Sequence, residues 1–259
     1  MEYHYMAKIK INKDKSIGSV IYIVEGEKTE PELIKHIFSN MFDYKVVTSN
    51  KTGIKQLESK NNKYSCVYIV TAQYPQIKKI EESDDFFNSI YDQLSNQYGL
   101  DVENNAIYYI FDRDRDSNNS DTILKNFKKY RNSRDNDQEM NGLFLISYPC
   151  IEAFMCNCHN DQTKLSCGNE AKKHTKKYKI ENLIEENLHF ATEEFIDKYM
   201  KIINKEFDVS KLDDFADSNK KIFNYEEKEY VNSKAYDVLS LLIISLIDLG
   251  IIEIENDCD

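Results

Sequence analysis

Two acidic strings in this chain have the composition and setting of a cation site. In VIYIVEGEKTEPELI, Val20–Ile34, five apolar residues run into Glu25 and Gly26, with Glu30 a little further on. In AIYYIF, Ala106–Phe111, an apolar run leads into Asp112-Arg113-Asp114-Arg115-Asp116. Side chains alternate along an extended chain, so Asp112 and Asp114 share one side, and Asp116 follows them if the chain stays extended. Carboxylates about 7 Å apart on one face, joined by a third from a neighbouring strand end, repel one another unless a cation lies between them. Mg²⁺ or Mn²⁺ suits such a set, because a hard cation takes a few carboxylates and keeps waters for a phosphate. The competing interpretations are an acidic surface loop and a simple helix-terminus role for Glu25 and Glu30. Repetition of the pattern after two apolar runs weighs against both.

Short, unbroken apolar runs of this kind are strands covered on both faces of a parallel sheet. Open α/β sheets keep their sites at the carboxyl ends of such strands. Pro31 suits the first turn of a helix reaching from about Glu30 to Met41. Tyr44–Thr48 reads as a second strand, Lys51–Lys63 as a loop or short helix, and Ser65–Tyr74 as a further strand at the sheet edge. Phe86–Tyr98 has a helical stripe of Phe87, Ile90, Tyr91 and Leu94. After the aspartates come a helix over Asp121–Tyr130 capped by Ser120, a strand at Leu143–Ser147, and a helix from Ile151 with Glu152 in its first turn. Helical patterns continue at Ile180–Asn187, Thr192–Phe207 and Ser233–Leu249. The expected architecture is α/β: a mostly parallel sheet of four to five strands flanked by helices over residues 1–159, with a mainly helical extension over 160–259.

Composition narrows the function classes. Seven glycines and three prolines in 259 residues, with 31% charged and 41% apolar, fit a globular chain. A net charge of −11 argues against a DNA-coating protein but not against an enzyme whose cations offset an acidic centre. The N-terminal string MEYHYMAKIKINKDK lacks an apolar core of signal-peptide length, which points to the cytoplasm. The uncharged run VLSLLIISLI is half the length needed to cross a bilayer, so no membrane association is expected. Cys156, Cys158, His159, Cys167 and His174 invite a zinc interpretation, but Cys-x-Cys-His is not the usual spacing, and buried thiols are the expectation. Lys172, Lys173, Lys176 and Lys177, with Lys179, form the densest basic cluster. It is the candidate contact for nucleic-acid phosphates, weighed evenly against a solvated helix face. Lys125, Lys128 and Lys129, with Arg131 and Arg134, come next.

The pair VEGEKTEP and FDRDRD resembles the Toprim domain, with its Glu after a first strand and Asp-x-Asp after a later one. The stretch Ser147-Tyr148-Pro149-Cys150-Ile151-Glu152-Ala153-Phe154 is similar to the Asn-Pro-Cys-aromatic-Glu-Leu-Trp stretch of RloB-like proteins, a Toprim group allied to the OLD-type nucleases of bacterial defence. The likeness covers roughly Ile17 to Cys158. It departs at Tyr148, which stands in the Asn position, and at Ala153 and Phe154 for Leu and Trp. The resemblance implies a Rossmann-like Toprim fold and a metal-dependent nuclease acting on DNA or RNA, as an effector of anti-phage defence beside an ATPase partner. It makes Glu25 a metal ligand or general base and Asp112 and Asp114 metal ligands. Asp116 and Glu30 become auxiliary acids, and Glu152 completes or orients the set.

Two alternatives remain at this level. One is a catalytically silent metal- or nucleotide-binding module that regulates a defence complex. The other is a haloacid-dehalogenase-like phosphatase with Asp112 as nucleophile, which leaves EGEKTEP unexplained. Oligomerisation is left open.

Overall fold

The computed structural model describes residues 8–49, 54–71, 92, 94–96, 99, 105–116, 118–134 and 141–255. In chain order the strands and helices are β1 (Lys8–Ile11), β2 (Ser19–Val24), α1 (Thr29–His36, continued by a π turn at Ile37–Met41), β3 (Tyr44–Ser49), β4 (Ile54–Ser59), β5 (Cys66–Thr71) and β6 (Ala106–Asp112). There follow α2 (Ser120–Lys129), β7 (Leu143–Tyr148), α3 (Ala153–Asn157), β8 (Lys164–Leu165), α4 (Gly168–His174), α5 (Glu185–Ile203) and α6 (Ala216–Ser233). The chain closes with β9 (Tyr236–Asp237), β10 (Leu239–Ser240), α7 (Leu242–Asp248) and β11 (Ile252–Glu255). The expected helix over Phe86–Tyr98 falls largely outside the described residues; of its stripe, Leu94 is described and is fully buried.

The protein is α/β. Its main sheet has the order β10-β7-β6-β2-β5-β4-β3 among the described residues. The four central strands are parallel, while β10 on one side and β4-β3 on the other are antiparallel. The sheet is therefore wider and more mixed than the expected four to five strands. β5 lies beside β2 in the interior rather than at the edge, with Val67 and Ile69 fully buried; an all-apolar CVYIV needs cover on both faces. β4 replaces the expected loop. Its IKQLES lacks β-branched alternation, and it is a strand because its backbone groups pair on both sides with β3 and β5.

Helices cover both faces. Tyr22 and Tyr108, stacked at 5.3 Å, face Phe38 of the π turn and Ser245 of α7, whose hydroxyl accepts from Tyr22 at 3.0 Å. On the opposite face Phe144 packs against Phe127 of α2, which in turn meets Phe223 of α6. The C-terminal part is mainly helical, yet it also enters the sheet. Leu239 and Ser240 pair with Tyr148 and Ser147, satisfying a β7 edge that would otherwise be left open. The helix expected over Ser233–Leu249 is accordingly shortened to α7, because its first residues serve as strands. α2 is capped by Asn119, which accepts from the Asp121 amide, while Ser120 instead accepts from Arg113.

Alternation past β6 separates acids from bases. Arg113 is 2% exposed and donates to Glu227 at 2.8 Å, the Asn118 carbonyl at 3.0 Å and Ser120 at 3.2 Å, with its guanidinium over Phe223. Arg113→Met should cost about 3–5 kcal/mol in chemical denaturation, because it removes the buried guanidinium that holds Glu227 of α6, the Asn118 carbonyl and Ser120 together. Arg115→Met, at a position 35% exposed, should cost less than about 1 kcal/mol. Equal costs for the two would refute this division of roles.

Candidate functional site

Parallel pairing of β2, β6 and β7 brings three strand ends to one edge. Glu25 follows β2, Asp112 ends β6, and the turn after β7, through the cis Tyr148–Pro149 peptide, delivers Glu152 just before α3. The Asp112 amide donates to Glu25 Oε2 at 2.9 Å, and the Ile151 amide donates to Asp112 Oδ1 at 2.8 Å. Glu30, on the first turn of α1, accepts from the Gly26 amide at 3.1 Å. A Cβ at Gly26 would lie 2.2 Å from the Glu30 carboxylate, so a larger residue here would have to displace that side chain. Thr29 donates to Glu152 Oε1 at 3.2 Å, and Glu152 Oε2 is buried without a partner.

These four acids, with Thr29 and Lys172, line a cavity of about 630 Å³. Burial is the first cause of the raised pKa values of Glu25, Glu30 and Asp112, and repulsion between acids adds to it. Glu25 is pushed up to about 7 by desolvation, with Glu30 and Asp114 adding to the shift. Desolvation and the Glu152 charge raise Glu30. Asp112 is held well above the carboxylate range by burial and by Glu30, Glu25 and Glu152. Lys172 on α4 opposes the shifts of Glu25 and Glu30 but offsets only part of the charge. An all-oxygen donor set with an orphaned buried oxygen fits a hard divalent cation.

The other expected residues divide. Asp114 is close enough to raise Glu25. Asp116 does not continue an extended row, because its amide turns back onto Asp114 Oδ1 at 3.1 Å. The oxygens of the strand-end acids are also more widely spread than 4.8 Å as sets of three; among the described residues, ligand-type atoms that close together belong to Cys156, Asp161 and His174. There Asp161 already accepts from Thr163 at 2.6 Å, His174 at 2.7 Å, Tyr178 at 2.7 Å and Lys177 at 2.9 Å. Burial pushes the Cys156 thiol up to about 12. Cys158 is buried in the main core and Cys167 is exposed; of the residues weighed for zinc, Cys156 and His174 come together, with Asp161 as the third group. Asp161 is best understood as the hub that ties the end of α4 to the segment after α3.

The basic cluster divides as well. Lys172 reaches the acidic cavity, Lys173 and Lys176 are exposed, and Lys177 pairs with Asp161. Of the second basic group, Arg131 and Arg134 pair with Asp214 and Asp248. Thr29 was not foreseen, although a hydroxyl between Glu25 and Glu30 is the type of residue that orients a carboxylate.

The chain matches no protein-family model, no curated protein and no solved structure. The fold and site define an α/β protein with buried carboxylates gathered at the carboxyl edge of its parallel strands. No described helix is long and apolar enough to cross a membrane.

Acids with raised pKa values favour the folded state while protonated. That stability is present below about pH 4, the unfolded carboxylate range, and is lost as pH rises through about 7. In chelator, Tm should therefore fall between about pH 5 and 8. Asp112→Asn should raise Tm at pH 8 by roughly 3 °C or more and flatten the slope. Mg²⁺ should restore the wild type at pH 8 but not the variant. Scanning calorimetry showing a flat wild-type profile and no Mg²⁺ response would contradict this electrostatic picture.

Proposed function

We propose that this chain is a divalent-cation-dependent nuclease that hydrolyses phosphodiester bonds of nucleic acid. Mg²⁺ or Mn²⁺ would be held by Glu25, Asp112 and Asp114, the ligands that the Toprim resemblance of VEGEKTEP and FDRDRD implies, with Glu152 of the RloB-like stretch completing the set and Glu30 in support. The observation that carries the proposal is the convergence of Glu25, Glu30, Asp112 and Glu152 around one cavity, with a buried Glu152 oxygen lacking a partner. A cation bound there would polarise a phosphate oxygen and lower the pKa of a coordinated water.

The chain's own groups have complementary tasks. Glu25, lifted to about 7 by burial before any cation binds, takes the role of ligand or of general base that the resemblance implies. The Ile151 amide fixes the carboxyl plane of Asp112, and Thr29 orients Glu152. Lys172 faces the same cavity and offsets phosphate charge in an otherwise acidic protein. Lys173 and Lys176 extend that basic face, while Lys177 and Asp116 have supporting positions outside the acidic cavity. The RloB-like stretch supports a setting in anti-phage defence with an ATPase partner.

One observation favours the silent module as a second interpretation: Glu25 Oε2 and Asp112 Oδ1 are both engaged by backbone amides, which suits cation binding without turnover. The phosphatase alternative is less well supported, because it gives no role to Glu25 and Glu30 of EGEKTEP, which line the same cavity as Asp112.

The test is incubation of plasmid, linear DNA and total RNA with wild type, Asp112→Asn and Glu152→Gln in Mg²⁺, Mn²⁺ or chelator. Cleavage should require the cation, and each substitution should lower the rate by more than about 100-fold. Undiminished cleavage in chelator or by Asp112→Asn would overturn the proposal. Cation binding by the wild type without cleavage of any substrate would favour the silent module.

A further inference from the structure

A second cavity of about 310 Å³ adjoins the acidic one, and Asp112 and Lys172 line both. The chemistry at the strand ends has no use for this space, so its walls must be read separately. Asp112 and Lys172, shared with the acidic cavity, are joined in the lining of the smaller cavity by Asp114 and Asp116. Arg115 and Tyr230 also line it, with the Arg115 guanidinium carbon over the Tyr230 ring, 4.3 Å from its centroid. Arg115 is anchored to Glu227 at 3.2 Å and leaves its side chain 35% exposed. Asn169, exposed at the start of α4, also lines the cavity, with a side-chain amide that can both donate and accept.

A guanidinium plane backed by an aromatic ring is a stacking platform for a nucleobase, tolerant of sequence because every base has a π face. The volume lies at the low end of ligand pockets, roughly 300–1,000 Å³, and suits one nucleoside rather than a helix. A base within a duplex is stacked and paired, and entering such a pocket costs its unstacking. An unpaired strand carries little of that cost.

We propose that the smaller cavity receives the nucleoside next to the phosphate held at the strand ends, its base stacked on the Arg115–Tyr230 pair, so that the substrate is unpaired, single-stranded nucleic acid. This rests on the nuclease proposal for the adjoining site and adds the substrate class. Asn169 contacts the base edge, and Lys172, shared by both cavities, neutralises the phosphate between them.

The test is equilibrium binding, which does not require turnover. Fluorescence anisotropy with Ca²⁺ present would compare a labelled single-stranded DNA, a single-stranded RNA of the same sequence, and the duplex of each. Single strands should bind at least about tenfold more tightly than duplexes, and the DNA and RNA arms identify which unpaired strand is preferred. Tyr230→Leu should weaken single-strand binding between about fivefold and a hundredfold, the range for loss of one stacked base. Tyr230→Phe should retain it, and Asn169→Ala, an exposed change that leaves packing intact, should weaken it about threefold. Duplex affinity should be unchanged in all three. Equal binding of duplex and single strand, or equal losses on both, would overturn the inference while leaving the strand-end chemistry in place. Failure of the wild type to bind any of the four would overturn the inference together with the nuclease proposal.

Discussion

The hydrogen bond from the Asp112 amide to Glu25 Oε2 joins the ends of two adjacent parallel strands, and the whole acidic centre is arranged around that link. Bringing buried carboxylates together is costly, because desolvation and repulsion both disfavour the charged forms. Here backbone amides offset part of the cost: Asp112 for Glu25, Ile151 for Asp112 and Gly26 for Glu30. The arginines that alternate with the aspartates do not help, since Arg113 and Arg115 are directed to Glu227 on α6. The fold thus keeps guanidinium groups away from the acids it gathers. Such an imbalance is what a site for a cation requires, and a purely structural cluster would be expected to neutralise itself.

The C-terminal residues are integral to this arrangement. α4 supplies Lys172 to the acidic cavity, α6 supplies Glu227 and Tyr230, and β10 completes the edge beside β7. Asp161 holds the end of α4 through His174 and Lys177. Placement of Lys172 therefore depends on a hub distant from the acids themselves.

Much of the centre was legible in the chain because each acid directly follows a local signal. Glu25 and Asp112 end apolar runs, and a buried parallel strand is recognisable from such a run alone. Glu152 was accessible through the likeness of its surrounding stretch to RloB-like proteins. What escaped depends on distant partners. β4 has no strand-like pattern and exists through pairing with β3 and β5. β10 hides in an apolar string that reads as helix until the open edge of β7 is known. Asp116 leaves the expected row because a turn at Asp114 captures its amide, and the Arg115–Tyr230 contact joins residues far apart in the chain.

The most direct measurement of the central claim is anomalous diffraction from crystals of the wild-type protein equilibrated with Mn²⁺. A peak should lie among Glu25, Asp112 and Glu152, about 2.1 Å from at least two carboxylate oxygens, the distance typical of small hard divalent cations, after closure of side chains that are now more widely spread. Absence of a peak there, or a peak confined to Cys156, Asp161 and His174, would contradict the assignment of the strand-end acids as a cation site.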